Sequence, residues 1–333
     1  MKSLTLLLVA SLFLIPSQSF SDSTLKTYHV KQRKVHAKGL KRNFASKRMM
    51  MSMKHLSFKD SEIAVPGAMD LSAQVSLPED QGNCGACWDF SLTKALRSEY
   101  MLAGLDPGVL DFNYLLNNCG PGPAMDGCQG GDFSAAASFE NKGGPNLNAN
   151  DPYTQQAGAC KELPTLATAQ SYTMVGEGNN PPTFKDLAYS IGVLHHMLSV
   201  DVAAASGDWE NYSDGIYNDC QGTANDVDHM INMVGYNCET SIDANGDCLF
   251  DTTGMPVNHD GYLLLENNWG ETWGTEASNG MGGYMKTRMY AQDGSHCNAI
   301  ATDALYFDIE RVQAKKKGGF LCGLFQHFPW CKA

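Results

Sequence analysis

Eleven cysteines, an odd number, restrict the possible folds of this chain more than any other property of its sequence. In an exported protein most of them are expected to form disulfide bonds, and an odd number leaves one thiol unpaired. A zinc site is disfavoured, because only Cys84 and Cys87 have Cys-x-x-Cys spacing and no second pair completes four ligands. We therefore expect no metal and no cofactor. The cysteines lie at positions 84, 87, 119, 128, 160, 220, 238, 248, 297, 322 and 331.

The N-terminus predicts export. An apolar run of twelve residues from Leu4 to Ile15 is ended by Pro16 and followed by Ser19 and Ser21. This pattern is typical of a secretory signal peptide, and the run is too short to cross a bilayer. We predict a signal peptide over residues 1–21, no transmembrane anchor, and a destination outside the cell or in the lumen of a lysosome-like acidic compartment.

The charge of the chain is unevenly distributed. Residues 21–60 hold eleven Lys or Arg and two Asp, a net charge of +9, whereas residues 61–311 hold eight Lys or Arg and thirty-four Asp or Glu, a net charge of −26. The acidic part disfavours nucleic-acid binding. The basic part could bind nucleic acid or an anionic membrane, or cover the acidic part as a removable pro-segment. The opposite signs favour a pro-segment over residues 22–63 that inhibits its own chain, with processing near residues 62–65.

The size and composition allow a large folded unit between these ends. The chain has 333 residues, of which 43% are hydrophobic and 18% are charged. That length exceeds the usual limit of about 250 to 300 residues for one core, so the chain has either two lobes or one unit with removable ends. A basic and aromatic segment over residues 312–333 forms the second end.

The segment QGNCGACWDFS, residues 81–91, predicts the start of a helix at Cys87. Apolar residues follow at helical spacing up to Leu102. A thiol at a helix N-terminus is close to backbone N–H groups and the positive end of the helix dipole, which lower its pKa. A redox pair formed by Cys84 and Cys87 is the alternative interpretation.

Together with two later segments, this motif resembles the papain-like cysteine peptidases. The segment DHMINMVGY, residues 228–236, places His229 142 positions after Cys87. The segment LLLENNWGETWG, residues 263–274, places Asn267 where that family has its orienting Asn, and Asn268 where it has Ser. The resemblance covers residues 64–311. It implies an α+β, two-lobed fold with a helical left lobe, a β-barrel-like right lobe and an active-site cleft between them.

The resemblance also implies a division of roles. Cys87 would be the nucleophile, and His229 would stabilise its thiolate and then protonate the departing amine. Asn267 would orient the imidazole. The side-chain amide of Gln81 would join the backbone N–H of Cys87 in an oxyanion hole.

Five disulfides would use the remaining ten cysteines. By resemblance to the family, Cys84 pairs with Cys128, Cys119 with Cys160 and Cys220 with Cys297. The last four cysteines are assigned by elimination, as Cys238 with Cys248 and Cys322 with Cys331.

The resemblance places five further residues along the cleft. Gly130 and Gly131 would line the path of the substrate backbone, where a side chain would block the approach. Phe133, Leu198 and Met230 would line the main specificity pocket and favour an apolar side chain two residues before the cleaved bond. The alternative is that these three are ordinary core residues.

Two other polar motifs lie outside the predicted site. The acidic residues of DANGDCLFD, residues 243–251, are spaced somewhat like a calcium loop, but the glycine is misplaced for an EF-hand and a plain acidic turn is favoured. Asn211 begins a sequon for N-glycosylation.

The function expected from these features is a secreted, monomeric cysteine endopeptidase that is made as a zymogen and hydrolyses peptide and protein substrates. The sequence has no occluding loop of the dipeptidase type, which favours an endopeptidase. The alternative is a catalytically silent relative that acts as a secreted binding or adhesion protein.

Overall fold

The computed structural model describes residues 27–31, 35–41, 53–58, 60–140, 143–177, 180–291 and 294–310. The predicted signal peptide, the predicted C-terminal segment and the Cys322–Cys331 pair lie outside these residues. Within them, no helix combines the length and the apolar character that a membrane span requires.

The longest helix, α1, spans Cys87–Leu102 and begins at the cysteine that the sequence predicts. Its side chains pack into the protein interior, with Trp88 and Phe90 no more than 1% exposed. It ends where Gly104 adopts a left-handed backbone conformation, with φ at +75°. This helix therefore fixes Cys87 at a buried N-terminus.

The other helices are short. Helix α2 spans Asn113–Leu116 and α3 spans Phe184–Gly192. A capping box begins α3, because the Thr183 side chain accepts from the Asp186 backbone N–H and the Asp186 carboxylate accepts from the Thr183 N–H. Four 3-10 helices span Gly127–Gln129, Phe133–Phe139, Trp209–Asn211 and Cys297–Ala299.

Ten strands form one hydrogen-bonded sheet in the order β1-β6-β9-β8-β7-β5-β10-β4-β2, with β3 paired to β7. The long strand β7 lies near the middle and begins at His229, as predicted. Within the described residues the series is open, so the right lobe is not a closed barrel. The strands are β1 Tyr28–Val30, β2 His55–Leu56, β3 Ala68–Asp70, β4 Ser171–Val175, β5 Leu198–Val202, β6 Tyr212–Tyr217, β7 His229–Asn237, β8 Tyr262–Glu266, β9 Tyr284–Arg288 and β10 Ala304–Asp308.

Two apolar cores support the two lobes. One contains α1 together with the 3-10 helix that starts at Phe133, and it includes Met230 from β7. The other lies among the strands and α3, and includes Leu198 and Trp269. Helix α1 packs directly on β7, so the helix that begins at Cys87 and the strand that begins at His229 meet between the two cores. The predicted α+β, two-lobed architecture is confirmed.

Candidate active site

Cys87 is the one cysteine without a disulfide among those in the described part of the chain. Its side chain is fully buried. The four disulfides join Cys84 to Cys128, Cys119 to Cys160, Cys220 to Cys297 and Cys238 to Cys248, the pairings that the sequence predicts for these eight residues. Because Cys84 is bonded to Cys128, it does not form the redox pair with Cys87.

His229 and Asn267 are joined by a short hydrogen bond. Nε2 of His229 lies 2.8 Å from Oδ1 of Asn267, and both side chains are almost completely buried. The indole of Trp269 stacks against the imidazole at 4.7 Å between ring centroids. Nδ1 of His229 has no hydrogen-bond partner among the described residues. The imidazole is thus held at one nitrogen and retains the other for a reacting group.

Asn268 has a different environment from its neighbour. Its Nδ2 donates to the carbonyl oxygen of Met230 at 2.9 Å and to that of Cys87 at 3.3 Å. It therefore links the start of α1 to the residue that follows His229. The geometry distinguishes the two adjacent asparagines, because Asn267 contacts the imidazole whereas Asn268 joins two backbone segments.

Gln81 directs its amide towards a segment of the basic N-terminal part. Its Nε2 donates to the Ala37 carbonyl oxygen at 3.1 Å and to the Cys84 carbonyl oxygen at 2.9 Å. The Trp269 indole N–H also lies 3.4 Å from the Ala37 oxygen. The Ala37 carbonyl oxygen of the predicted pro-segment thus accepts the Gln81 hydrogen bond that the resemblance assigns to the substrate oxyanion.

Residues 35–41 cross directly over the thiol. The backbone N–H of Gly39 donates to Sγ of Cys87 at 3.2 Å. Leu40 then bonds to the Asp228 carbonyl oxygen at 3.0 Å, and the backbones of Gly39 and Lys41 bond to Gly131. Leu40 and Gly131 form a parallel bridge. This part of the chain lies along the cleft and covers Cys87.

The pKa values of Cys87 and His229 are both shifted in the covered site. Burial raises the pKa of the Cys87 thiol to about 12, although backbone hydrogen bonds from Met230, Gly39 and Trp88 oppose the shift. Burial also lowers the pKa of the His229 imidazole to about 3. The lowered thiol pKa expected at a helix N-terminus is therefore wrong for the covered site, because exclusion of water outweighs the helix dipole.

The two predicted cleft glycines both lie where added carbon would clash. A Cβ on Gly130 would meet the Gly39 carbonyl oxygen at 2.4 Å, and one on Gly131 would meet the Trp88 indole at 2.5 Å. Gly130 also has a φ of +127°. Glycine at position 130 permits close approach of the pro-segment backbone, whereas glycine at position 131 leaves room for the Trp88 side chain.

The structure separates the three predicted pocket residues. Phe133 and Met230 belong to the same apolar cluster as Leu40, which is 6% exposed. Leu198 belongs to the other core. Side chains alternate along a strand, so Leu198 shares the inner face of β5 with Val200 and points away from Asp201, which pairs in register with Met230. Asp201 therefore lies on the Met230 side of β5, a position that strand periodicity alone does not single out. Its carboxylate accepts the Asp303 backbone N–H at 2.9 Å.

The acidic motif over residues 243–251 has a structural role. The Asp243 carboxylate accepts the backbone N–H groups of Asn245 and Asp247, which forms the favoured acidic turn. In the part of the chain that the structure describes, no group of three or more His, Cys, Asp or Glu residues is arranged to hold a metal ion.

Residues 65–307 match the sequence profile of the papain family cysteine proteases. The chain belongs to the papain family. The match starts immediately after the predicted pro-segment and includes every predicted catalytic residue. The family thus supplies the fold seen here, with the cleft between the two lobes.

Among curated proteins, the chain is similar to procathepsin L of Rattus norvegicus, with 31% identity over 68% of this chain and 60% of that protein. It is also similar to a cathepsin L-like peptidase of Aedes aegypti, with 28% identity over 74% of this chain and 65% of that protein. The chain therefore matches slightly less than two thirds of the length of these relatives.

Two solved precursor structures have the same fold. The recombinant stem bromelain precursor is 27% identical, with a TM-score of 0.59 over 78% of this chain and 76% of that one. The digestive procathepsin L2 proteinase from Tenebrio molitor larval midgut is 22% identical, with a TM-score of 0.66 over 85% of this chain and 84% of that one.

Proposed function

We propose that this chain is the zymogen of a secreted cysteine endopeptidase that uses Cys87, His229 and Asn267. The observation that carries the proposal is the unpaired thiol at the N-terminus of α1, which packs on the strand that begins at a histidine held by an asparagine through a 2.8 Å hydrogen bond. Family membership makes peptide-bond hydrolysis the reaction expected of this arrangement.

The reaction begins once residues 35–41 leave the cleft. Water and substrate then reach Cys87, and transfer of its proton to Nδ1 of His229 gives a thiolate and an imidazolium. The thiolate attacks the substrate carbonyl carbon, and the carbonyl electron pair moves onto oxygen. Nε2 of Gln81, which the Ala37 carbonyl now vacates, donates to that oxyanion.

Collapse of this intermediate breaks the C–N bond. The imidazolium donates its proton to the departing amine, which leaves a thioester on Cys87. A water molecule then loses a proton to His229 and attacks the thioester carbon. The acid product leaves, and the proton on His229 returns to the thiolate. Throughout, Asn267 keeps Nδ1 directed at the sulfur by holding Nε2.

The same contacts account for inhibition before processing. The Gly39 N–H of the pro-segment occupies the sulfur and its Ala37 carbonyl occupies the Gln81 donor, so a substrate carbonyl has access to neither. Chain direction supports this view. Ala37 lies at the Trp269 side and Lys41 lies beside Gly131, so the segment runs opposite to a substrate whose acyl side follows the two glycines.

Processing in the exposed stretch before Val65 fits the proposal. Ile63 is 56% exposed, whereas Val65 is 2% exposed and its carbonyl accepts the Cys248 backbone N–H. Cleavage before Val65 would therefore free the pro-segment and leave the folded core anchored.

The test is active-site labelling of the full chain before and after nicking at residues 62–64 in reducing, mildly acidic buffer. We expect an epoxysuccinyl inhibitor to label Cys87 after nicking, together with cleavage of peptides that carry an apolar residue two positions before the bond. The control is Cys87→Ala, which keeps the nicking site and removes the nucleophile. Undiminished turnover by that variant, or a correctly folded nicked chain without labelling or hydrolysis, would contradict the proposal and favour a catalytically silent binding protein.

A further inference from the structure

The pro-segment places a cation against a carboxylate of the cleft. Nζ of Lys38 forms an ion pair with Oε1 of Glu210, and the two side chains are only 14% and 20% exposed. Burial lowers the pKa of Lys38, and the charges of Asp228 and Cys87 oppose that shift. Asp228 is fixed in place because its Oδ1 accepts the Ala204 backbone N–H at 2.8 Å.

Aromatic packing places Glu210 on the His229 side of the thiol. The backbone oxygen of Glu210 accepts the Trp273 indole N–H at 3.0 Å. Trp273 packs edge-on against Trp269 at 5.3 Å, and Trp269 stacks on His229. Glu210 is thus part of the same wall as the histidine, and Gly131 lies on the opposite side of Cys87.

These positions correspond to opposite sides of a cleaved bond. The acyl part of a substrate follows the glycine side, and the amine departs at the histidine that protonates it. The pro-segment passes Trp269 first, then the thiol at Gly39, then Gly131. Lys38 immediately precedes Gly39, so its side chain occupies the leaving-amine side.

The stretch of chain that contains the two carboxylates has no cation of its own to replace Lys38. Residues 186–285, which include Glu210 and Asp228, contain no Lys or Arg. Among the described residues, Lys38 is the one ion-pair partner of Glu210. Loss of the pro-segment would leave the Glu210 carboxylate without its cation at the wall of the opened cleft, where a substrate cation can take the place of Lys38.

We propose that Glu210, with Asp228 beside it, forms an acidic subsite that selects a Lys or Arg side chain on the leaving-amine side of the cleaved bond. The proposal rests on the proposed endopeptidase function and adds a specificity for which no residue pattern in the sequence gave a signal. Lys38 occupies the subsite in the unprocessed chain in place of the substrate cation.

The first experiment measures specificity. Quenched fluorescent peptides share an apolar residue two positions before the cleaved bond and differ only at the first or second position after it, where Lys, Gln or Glu is placed. For the nicked full chain we expect kcat/KM to be at least about fivefold higher with Lys than with Gln at one of these positions, and lowest with Glu.

The variants assign that preference. Glu210→Gln is expected to reduce the Lys-to-Gln ratio to about one. Glu162→Gln is the matched control, because it removes the same charge from an exposed side chain of the other lobe and should preserve the ratio. Equal rates for Lys and Gln at both positions, or a preference that Glu210→Gln leaves intact, would overturn the proposal.

The second experiment needs no catalysis and so separates this inference from the proposed function. Amide hydrogen exchange at residues 39–41 is measured in the unprocessed chain. Lys38→Glu and Glu210→Lys should each accelerate exchange there by about fivefold or more, and the double variant should restore much of the protection.

The restored protection is specific to opposite charges at the two positions, since general loosening of the fold would make the double variant worse than either single variant. Additive losses in the double variant would overturn the ion-pair assignment even if the enzyme proves active. Restored protection in a chain that hydrolyses no peptide would instead support the Lys38–Glu210 ion pair at the subsite and contradict the endopeptidase function.

Discussion

The backbone N–H of Gly39 lies 3.2 Å from Sγ of Cys87 and donates a hydrogen bond to it. Glycine at position 39 permits this approach, because a Cβ there would overlap the carbonyl oxygen of Gly85. A single contact thus joins the covering segment to the thiol, and it depends on the absence of a side chain at one position.

Replacing Gly39 by alanine should weaken the cover. We expect Cys87 of the unprocessed Gly39→Ala chain to react with an epoxysuccinyl inhibitor at least about fivefold faster, because the overlap costs about 1–3 kcal/mol. Gly158→Ala is the control, since an added Cβ there has no atom within 4 Å. Identical labelling rates in the two variants would show that this contact does not limit access.

The pH dependence of thiol reactivity should change on processing. In the unprocessed chain burial raises the pKa of Cys87 to about 12 and lowers the pKa of His229 to about 3, so both groups are neutral between these values. Alkylation by iodoacetamide should therefore be slow at neutral pH and rise with pH. After nicking and release of the pro-segment, the helix N-terminus and the imidazolium favour the thiolate. As the pH rises, the alkylation rate should therefore reach its plateau before about pH 7. Equal rates at pH 7 before and after release would contradict this prediction.

A buried ion pair below the site should contribute strongly to stability. Nζ of Lys94 lies 2.7 Å from Oε1 of Glu266, with both side chains no more than 1% exposed. Lys94→Met leaves Glu266 buried without its cation and should lower the free energy of unfolding by about 3–5 kcal/mol. Urea unfolding of the unprocessed chain measures this loss.

The matched comparison is the more exposed pair formed by Arg97 and Asp106, whose side chains are 13% and 45% exposed. Arg97→Met should cost less than about 1 kcal/mol. Lys94→Met combined with Glu266→Leu should recover most of the lost stability, because no charge is then left unpaired. Similar losses for Lys94→Met and Arg97→Met would mean that burial does not set the difference.

The two adjacent asparagines should give different phenotypes. Asn267→Ala removes the acceptor for Nε2 of His229 and should lower kcat/KM by about 100-fold or more, as expected when an imidazole loses its orienting partner. Asn268→Ala leaves the carbonyls of Cys87 and Met230 without this donor and should lower the free energy of unfolding by about 1–3 kcal/mol. Peptide hydrolysis and urea unfolding of both variants provide the measurements. A larger kinetic loss in Asn268→Ala than in Asn267→Ala would reverse the assignment.

Local patterns predicted the elements that carry the site. The start of α1 at Cys87 and the start of β7 at His229 follow from apolar spacing next to a recognisable motif. Such patterns work because helix and strand periodicity are set by residues a few positions apart. Asn267 directly follows β8, and the antiparallel pairing of β8 with β7 brings it near His229.

The remaining features depend on contacts between distant parts of the chain. Leu198 was assigned to the pocket, yet it faces the strand-side core, because a shift of one residue along β5 exchanges the two faces. Burial raises the pKa of Cys87, and part of the cover over the thiol is a segment almost fifty positions earlier, which no local pattern reports. Glu210 gains its significance only from the cation that lies against it.

The strand order places β1 and β2 at the two ends of the sheet, and both lie in the segment that processing would remove. Maturation would therefore uncover the backbone N–H and C=O groups of β6 and β4 that now pair with them. Unpaired strand edges template association with other chains. The segment that covers the thiol thus also protects two strand edges from association with other chains. Its release would open the cleft and remove that protection.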